Sequence, residues 1–277
     1  MSKGHEILIT RYPAARGAAW LREAYAMLSA ARLPWILLLL LYYLVMSLVD
    51  FVPFIGQLAV PVLKPVFAVG FLAAAWAQER GGKPEPRQLF QGFRSNLWAL
   101  LPLGVLLLAG ITASVLATAL VDDGTLLDLL SGKVKLDEET LAAGAVQRAM
   151  LFGAACALPV LLALWYAPAL VVFHECSPGR ALSLSFRAAL LNWRPLAVYG
   201  VMAAFYGVVV PGLVMTVVRA LFPGTAAFFM AVMVLTPYLF LLVATLHISD
   251  YVSYRDIFHA GETASPEAAV AQPSDPA

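Results

Sequence analysis

Residues 180–200 read RALSLSFRAALLNWRPLAVYG. The first half sets arginine and serine between regularly spaced apolar residues, and the second half, from a Trp-Arg-Pro junction onward, is almost continuously apolar. Leu182, Phe186, Ala189, Leu190 and Trp193 fall at i, i+4, i+7, i+8 and i+11, one face of a 3.6-residue helix. Arg180, Ser183, Arg187 and Arg194 lie mostly off that stripe. An apolar stripe in the acyl boundary and a basic face toward anionic headgroups is the arrangement of a helix lying along a membrane surface. Pro195 suits the first turn of a following helix, where its missing N–H costs little, and it disfavours helical geometry just before it. The stretch predicts a short interfacial helix, an elbow, and a helix that enters the bilayer.

The rest of the chain fits that solvent. Of 277 residues 61% are hydrophobic and 13% charged, and the mean hydropathy is +0.82; a soluble domain is roughly half apolar and a quarter charged. Apolar runs of roughly 17–25 residues, the length that crosses about 30 Å of hydrocarbon, occur at Leu33–Val49, Leu58–Ala77, Leu97–Val121, Ala149–Phe173, Leu196–Val218 and Ala226–Ile248. No water satisfies stray amides in lipid, so each run must be helical. The fold class is therefore all-α, an integral membrane bundle of six transmembrane helices. Residues 1–32 precede the first run and no small-x-small cleavage site follows it, so it reads as a span and not as a signal peptide.

Lysine and arginine divide unequally between the two sides. Thirteen precede the first run, separate the second from the third or the fourth from the fifth, or follow the sixth; Lys133, Lys135, Arg148 and Arg219 stand opposite. By the positive-inside rule both termini are expected in the cytoplasm. The organisation expected is a cytoplasmic segment over 1–14, a six-helix membrane domain over 15–258, and a cytoplasmic tail over 259–277 whose small, Pro-containing, polar composition predicts disorder. The one sizeable external loop, 122–147, holds Asp122, Asp123, Asp128, Asp137, Glu138 and Glu139. It lacks the ligand spacing of an EF-hand and reads as a solvated loop with a short helix from Asp137 onward.

The opening pattern recurs. Leu21, Tyr25, Pro34; Leu89, Phe93, Pro102; and Leu182, Phe186, Pro195 share one frame, a leucine, an aromatic four residues on, and a proline nine further. The aromatics are 68 and then 93 residues apart, and the difference of 25 is about the length of the acidic loop. A triplicated unit of interfacial helix plus transmembrane hairpin is expected. Trp35, Trp98 and Trp193 sit near the three elbows, where indoles anchor at headgroup level.

KPVFAVGFLAAAWAQERGG with RQLFQGF, then APALVVFHECSPGRALSLSFRAALLNWRPLAVYG, then SYRDIF resemble an uncharacterised family of bacterial multi-pass inner-membrane proteins. The similarity covers roughly residues 15–258, and its most specific motif is SPGRALSLSF…NW. It is more distantly similar to the membrane portion attached to some glycerophosphodiester phosphodiesterases. The resemblance implies a fold and an inner-membrane location and carries over no catalytic residue.

A formal charge of +1 excludes the global basic field that drives nucleic-acid binding. Cys156 and Cys176 are too few and too far apart for a disulfide framework or zinc cluster. No GxSxG, HExxH, P-loop or GxGxxG occurs, so no catalytic residue, metal or cofactor is assigned. Three readings remain. The first is a non-enzymatic membrane protein that contacts anionic lipid headgroups or a membrane partner through its interfacial helices, with Arg180, Arg187 and Arg194 as binding residues. The second is a carrier or channel for a small or amphiphilic solute centred on Lys64, an intramembrane cation between Pro61 and Pro65, which is either functional or snorkels. The third, an intramembrane enzyme acting on lipid, requires a convergent group, for which His174, Glu175 and Asp250 are the candidates. His247, Asp250, Tyr254, Arg255 and Asp256 are otherwise expected to form a hydrogen-bond network at a helix end.

Overall fold

A computed structural model describes residues 7–134 and 144–263. The helix expected from Asp137 and the tail beyond residue 263 lie outside the described residues. Every regular element described is helical: α1 (Arg16–Ala30), α2 (Arg32–Asp50), α3 (Ile55–Glu79), α4 (Pro86–Leu89), α5 (Gln91–Arg94), α6 (Leu97–Ala117), α7 (Ala119–Asp122), α8 (Thr125–Leu130), α9 (Ala145–Trp165), α10 (Ala167–Phe173), α11 (Pro178–Leu191), α12 (Trp193–Ala204), a π-turn over Phe205–Val209, α13 (Val210–Leu221) and α14 (Thr225–Thr263).

Six helical stretches are long and apolar enough to cross a membrane: Arg32–Asp50, Ile55–Glu79, Leu97–Asp122, Ala145–Phe173, Trp193–Leu221 and Thr225–His259. Five begin and end within four residues of the expected runs, and the sixth continues eleven residues past Ile248. The most apolar windows of the fifth and sixth are only 6% and 11% buried, and Val201, Val208, Phe229 and Met233 are exposed. Such a continuous apolar surface is stable against hydrocarbon and not against water.

The described residues divide into two compact units: parts of Met1–Tyr42, Phe71–Leu89 and Ala188–Ala277 form one, and Tyr43–Gly70 with Phe90–Arg187 form the other. In the second unit α9 packs along α6. Close approach there depends on small residues, since a Cβ on Gly110 would stand 2.7 Å from Val160 Cγ1. Phe67 is fully buried, edge-on to Phe93 at 5.3 Å and Phe90 at 6.2 Å.

The fourth span breaks between α9 and α10, and the break has a visible cause. The Ser185 hydroxyl, fully buried, donates to the Leu162 carbonyl at 2.9 Å and accepts from the Tyr166 N–H at 2.9 Å. These are the two groups that an unbroken helix would join to each other, so the side chain has been inserted into the ladder. Pro168 follows at the second position of α10, where a missing N–H costs little.

The first unit is built on α1. Gly17, Trp20, Leu21, Ala24 and Leu28 are its buried face, at the spacing of one helical stripe. The helix lies against α12 and α14, with Gly17 so close to Pro195 that a Cβ would stand 2.0 Å from its carbonyl oxygen. Asn192, also fully buried, sits at the elbow before α12. Its Oδ1 accepts from the Tyr12 N–H at 2.9 Å and its Nδ2 donates to the Thr10 carbonyl at 3.0 Å, fixing the non-helical N-terminal segment. Further along, Pro211 removes a donor from the fifth span and the ladder loosens to a π-turn in which the Val210 N–H reaches Phe205. The Tyr206 carbonyl freed in this way accepts the Tyr238 hydroxyl at 2.7 Å.

The three elbows differ. Pro34 and Pro195 are each the third residue of their helix, whereas Pro102 is the sixth of α6, and the segment before it is two four-residue helices, α4 and α5. In α11 the buried residues are Ala181, Ser185, Ala188 and Ala189, while Leu190 and, beyond the elbow, Trp193 face outward. Of the expected stripe, Leu182 and Phe186 are half-buried, Ala189 is buried and Leu190 and Trp193 face outward, so the protein-facing side is the small-residue face centred about one position back. Replacing Ser185 by Ala strands a buried carbonyl and amide, and is expected to lower stability by about 1–3 kcal/mol. Ser183→Ala, on the exposed side of α11, is expected to be neutral; thermal unfolding of both variants in detergent checks this.

Candidate functional site

The polar extension of α14 beyond Ile248 returns charge to the first unit. Asp256 is nearly buried and accepts three side-chain donors: Arg16 Nε at 2.6 Å and Trp20 Nε1 at 2.9 Å on Oδ2, and Arg255 Nη2 at 3.1 Å on Oδ1. Glu23, seven residues after Arg16 on α1, takes that guanidinium at 2.6 and 3.2 Å and also Arg255 at 3.1 Å. Glu79, at the end of α3, receives Arg255 Nη1 on one oxygen and the Tyr251 hydroxyl on the other. The Tyr12 hydroxyl donates to the Asp256 carbonyl at 3.2 Å, and the Thr10 N–H to the Ile257 carbonyl at 2.9 Å. Three helices and the N-terminal segment thus meet at two guanidiniums and three carboxylates.

Electrostatics follow the contacts. The hydrogen bond from Arg16 to Asp256 raises the guanidinium pKa above its ordinary value against the opposing effect of burial. Burial raises the Tyr12 hydroxyl, so it stays a neutral donor.

Glu23, Glu79 and Arg255 are only partly covered, with side chains 34, 35 and 21% exposed. They line an open cleft of about 400 Å³ together with Ala26, Met27, Ala30 and Gln78. Gln78 is held at both ends of its amide: its Nε2 donates to the Met27 carbonyl at 2.7 Å and its Oε1 accepts Trp35 Nε1 at 2.6 Å. The site can hold charge and orient a polar group. Among the described residues no group of three or more His, Cys, Asp or Glu is placed to hold a metal ion.

The residues singled out from sequence are distributed otherwise. Lys64 is exposed on α3, nine residues past its start, and does not line the cleft. Arg180 and Arg187 are exposed on α11 and Arg194 is exposed on α12, its guanidinium 5.5 Å from the Trp193 ring centre. His174 and Glu175 form the turn that ends the fourth span, Glu175 with left-handed φ 51°. Beside them Cys176 is buried, which pushes its thiol up, while Arg180 pulls it the other way. Of the cluster expected after the sixth run, Arg255 and Asp256 enter the ion-pair network. His247 stacks flat on Phe71 at 4.0 Å, and Tyr254 pairs with His259 at 3.1 Å. Tyr12, Trp20, Glu23, Glu79 and Tyr251 were not legible as partners; the available signals were the seven-residue spacing of Arg16 and Glu23 and an isolated Glu-Arg pair closing the second span.

The geometry defines a polytopic α-helical membrane protein. The chain is 32% identical over 257 residues to a probable inner membrane protein of Burkholderia thailandensis, covering 91% of this chain and 94% of that relative. It belongs to the same family of bacterial multi-pass inner-membrane proteins. No family model matches the chain, and no solved structure matches it.

Removing Asp256 leaves the buried Trp20 indole without its acceptor and two guanidiniums partly uncompensated. Asp256→Ala is expected to cost about 2–4 kcal/mol, read as a fall in the thermal midpoint. Lys133→Ala, which breaks the exposed 3.3 Å pair with Asp128, is expected to cost less than about 0.5 kcal/mol.

Proposed function

We propose that this is a non-enzymatic multi-pass inner-membrane protein, both termini cytoplasmic, that contacts anionic lipid headgroups through interfacial helices of a threefold unit. One observation carries the reading: Arg180, Arg187 and Arg194 are exposed, and none has an ion-pair partner among the described residues. Arg180 and Arg187 are seven residues apart and share a face of α11. Beside them Leu190 and Trp193 are exposed, so one short segment offers both the apolar and the cationic contacts that a headgroup layer takes. Each such arginine contributes about 1 kcal/mol of attraction to an acidic surface. A membrane protein partner with an acidic face is an alternative occupant of the same residues. The carrier reading instead requires a polar cavity at Lys64.

Neutralising Arg180, Arg187 and Arg194 together to Gln is expected to reduce recovery on phosphatidylglycerol-containing vesicles by at least tenfold, while the helix content by circular dichroism stays unchanged. Unchanged recovery contradicts the lipid reading. Orientation has its own check, after Cys156 and Cys176 are replaced by Ala. A single cysteine at Lys133 is expected to react with an impermeant thiol reagent in spheroplasts, and one at Ser183 only after lysis.

A further inference from the structure

The charged cluster does not balance. Among the described residues, its direct ion pairs join the carboxylates of Glu23, Glu79 and Asp256 to the guanidiniums of Arg16 and Arg255, one carboxylate more than guanidiniums, with Arg80 next to Glu79 outside these pairs. Tyr251, the second donor to Glu79, is a neutral hydroxyl. Gln78 is neutral and directs one amide N–H to the Met27 carbonyl while its oxygen accepts Trp35 Nε1, so it brings no charge to Glu23 or Glu79. The surplus lies beside an opening, because Glu23 and Glu79 are the partly exposed acids and both line the cleft.

The position of the cleft states what kind of cation reaches it. Glu79 is the last residue of the second span, and Ala30 stands two residues before the start of the first, so the opening is at headgroup level. One turn before Glu79, Trp76 is 46% exposed with the Arg80 guanidinium 4.1 Å from its ring centre. That is an interfacial indole carrying a cation, placed where a phosphate comes within reach. The cleft volume of about 400 Å³ lies at the small end of ligand pockets, which run roughly 300–1,000 Å³; it accommodates a headgroup and leaves acyl chains outside.

We propose that this cleft binds the head of an aminophospholipid, its primary ammonium donating to Glu23 and Glu79 and its phosphate facing Arg80. The choice of head follows from the lining. A primary ammonium brings three N–H donors, and Glu23 and Glu79 retain unused acceptor lone pairs. A trimethylammonium has no donor and is recognised by aromatic cages, whereas the residues lining this cleft include no aromatic ring. A head without an ammonium offers Glu23 and Glu79 no charged donor. The site is distinct from the arginines of α11 and α12 and takes the opposite charge.

The test uses the full chain in neutral detergent, titrated with phosphatidylethanolamine and phosphatidylcholine of identical acyl chains, with free ethanolamine as a third ligand. The expected result is a preference for phosphatidylethanolamine over phosphatidylcholine of at least fivefold, and no competition from millimolar ethanolamine. Glu79→Gln is expected to abolish that preference. Because this change also loosens the cluster, Ala30→Trp is the second variant: it fills the cleft from an exposed position with every charge in place, and is expected to abolish the preference without lowering the thermal midpoint. Equal binding of the two lipids by the unmodified protein, or a preference that survives Ala30→Trp, overturns the proposal. Competition by free ethanolamine as strong as by lipid overturns its lipid part. Neutralising Arg180, Arg187 and Arg194 is expected to leave the preference intact, so the two proposals fail separately.

Discussion

Hydrocarbon offers no hydrogen bonds, and that constraint organises this chain. Each backbone amide and carbonyl in a span must find a partner within the protein, which makes the spans helical and makes each departure from helix a place where a side chain is committed. Three departures have their partner in view. Ser185 fills the gap between Leu162 and Tyr166, Tyr238 takes the carbonyl that the π-turn releases at Tyr206, and Asn192 binds both an amide and a carbonyl of the N-terminal segment. Ser185 and Asn192 both belong to the SPGRALSLSF…NW motif, so polar residues in an otherwise surface-like stretch serve the interior of the protein. Their value lies less in the bonds they form than in the buried groups that their loss would strand.

The same accounting applies to charge at the end of the first unit. A guanidinium or carboxylate leaving water there is stable only where its partners are in place, and removing one partner costs more than the pair contributes. Asp256 is the most committed of the five charged groups, with three donors converging on it from α1 and from its own helix. Glu23 and Glu79 are shared with the cleft and keep part of their hydration. The cluster thus grades from a structural core at Asp256 to an open acidic face at Glu79, a gradient expected where one network both holds helices together and meets a ligand.

Six spans were legible because length and hydrophobicity alone decide them, and the observed ends lie within a few residues for five. The sixth was read short. Its continuation, SDYVSYRDIFH, carries polar residues on every face, and it is held against the first unit because α1 supplies Arg16 and Trp20 to the Asp256 carboxylate and the N-terminal segment supplies the Tyr12 hydroxyl to the Asp256 carbonyl. Pairings across some 240 residues leave no trace in local periodicity. The arginine count was also blind to the site for a physical reason: insertion responds to Lys and Arg and little to acids, so Glu23, Glu79 and Asp256 drop out of an orientation argument although they decide which arginines stay free. In α11 the stripe of apolar residues read from periodicity coincides only in part with the protein-facing side, since Ala189 is buried while Leu190 and Trp193 are exposed. The small face of Ala181, Ala188 and Ala189 meets the protein because close approach favours small side chains.

A formal charge near zero therefore conceals two kinds of surface. Arg16 and Arg255 are neutralised within the cluster and contribute nothing to an outside field; Arg180, Arg187 and Arg194 keep theirs. The cleft at Glu23 and Glu79 carries the opposite sign on a length scale of a few ångströms, within the Debye length of about 8–10 Å at ordinary salt, so its field is felt locally and not across the molecule. A lipid layer contains both anionic and zwitterionic heads, and the two contact sites proposed above carry opposite signs. If both sites are occupied as proposed, rising salt weakens the contacts of the exposed arginines first. Ion pairing at the part-buried carboxylates persists longer, because screening reaches them less.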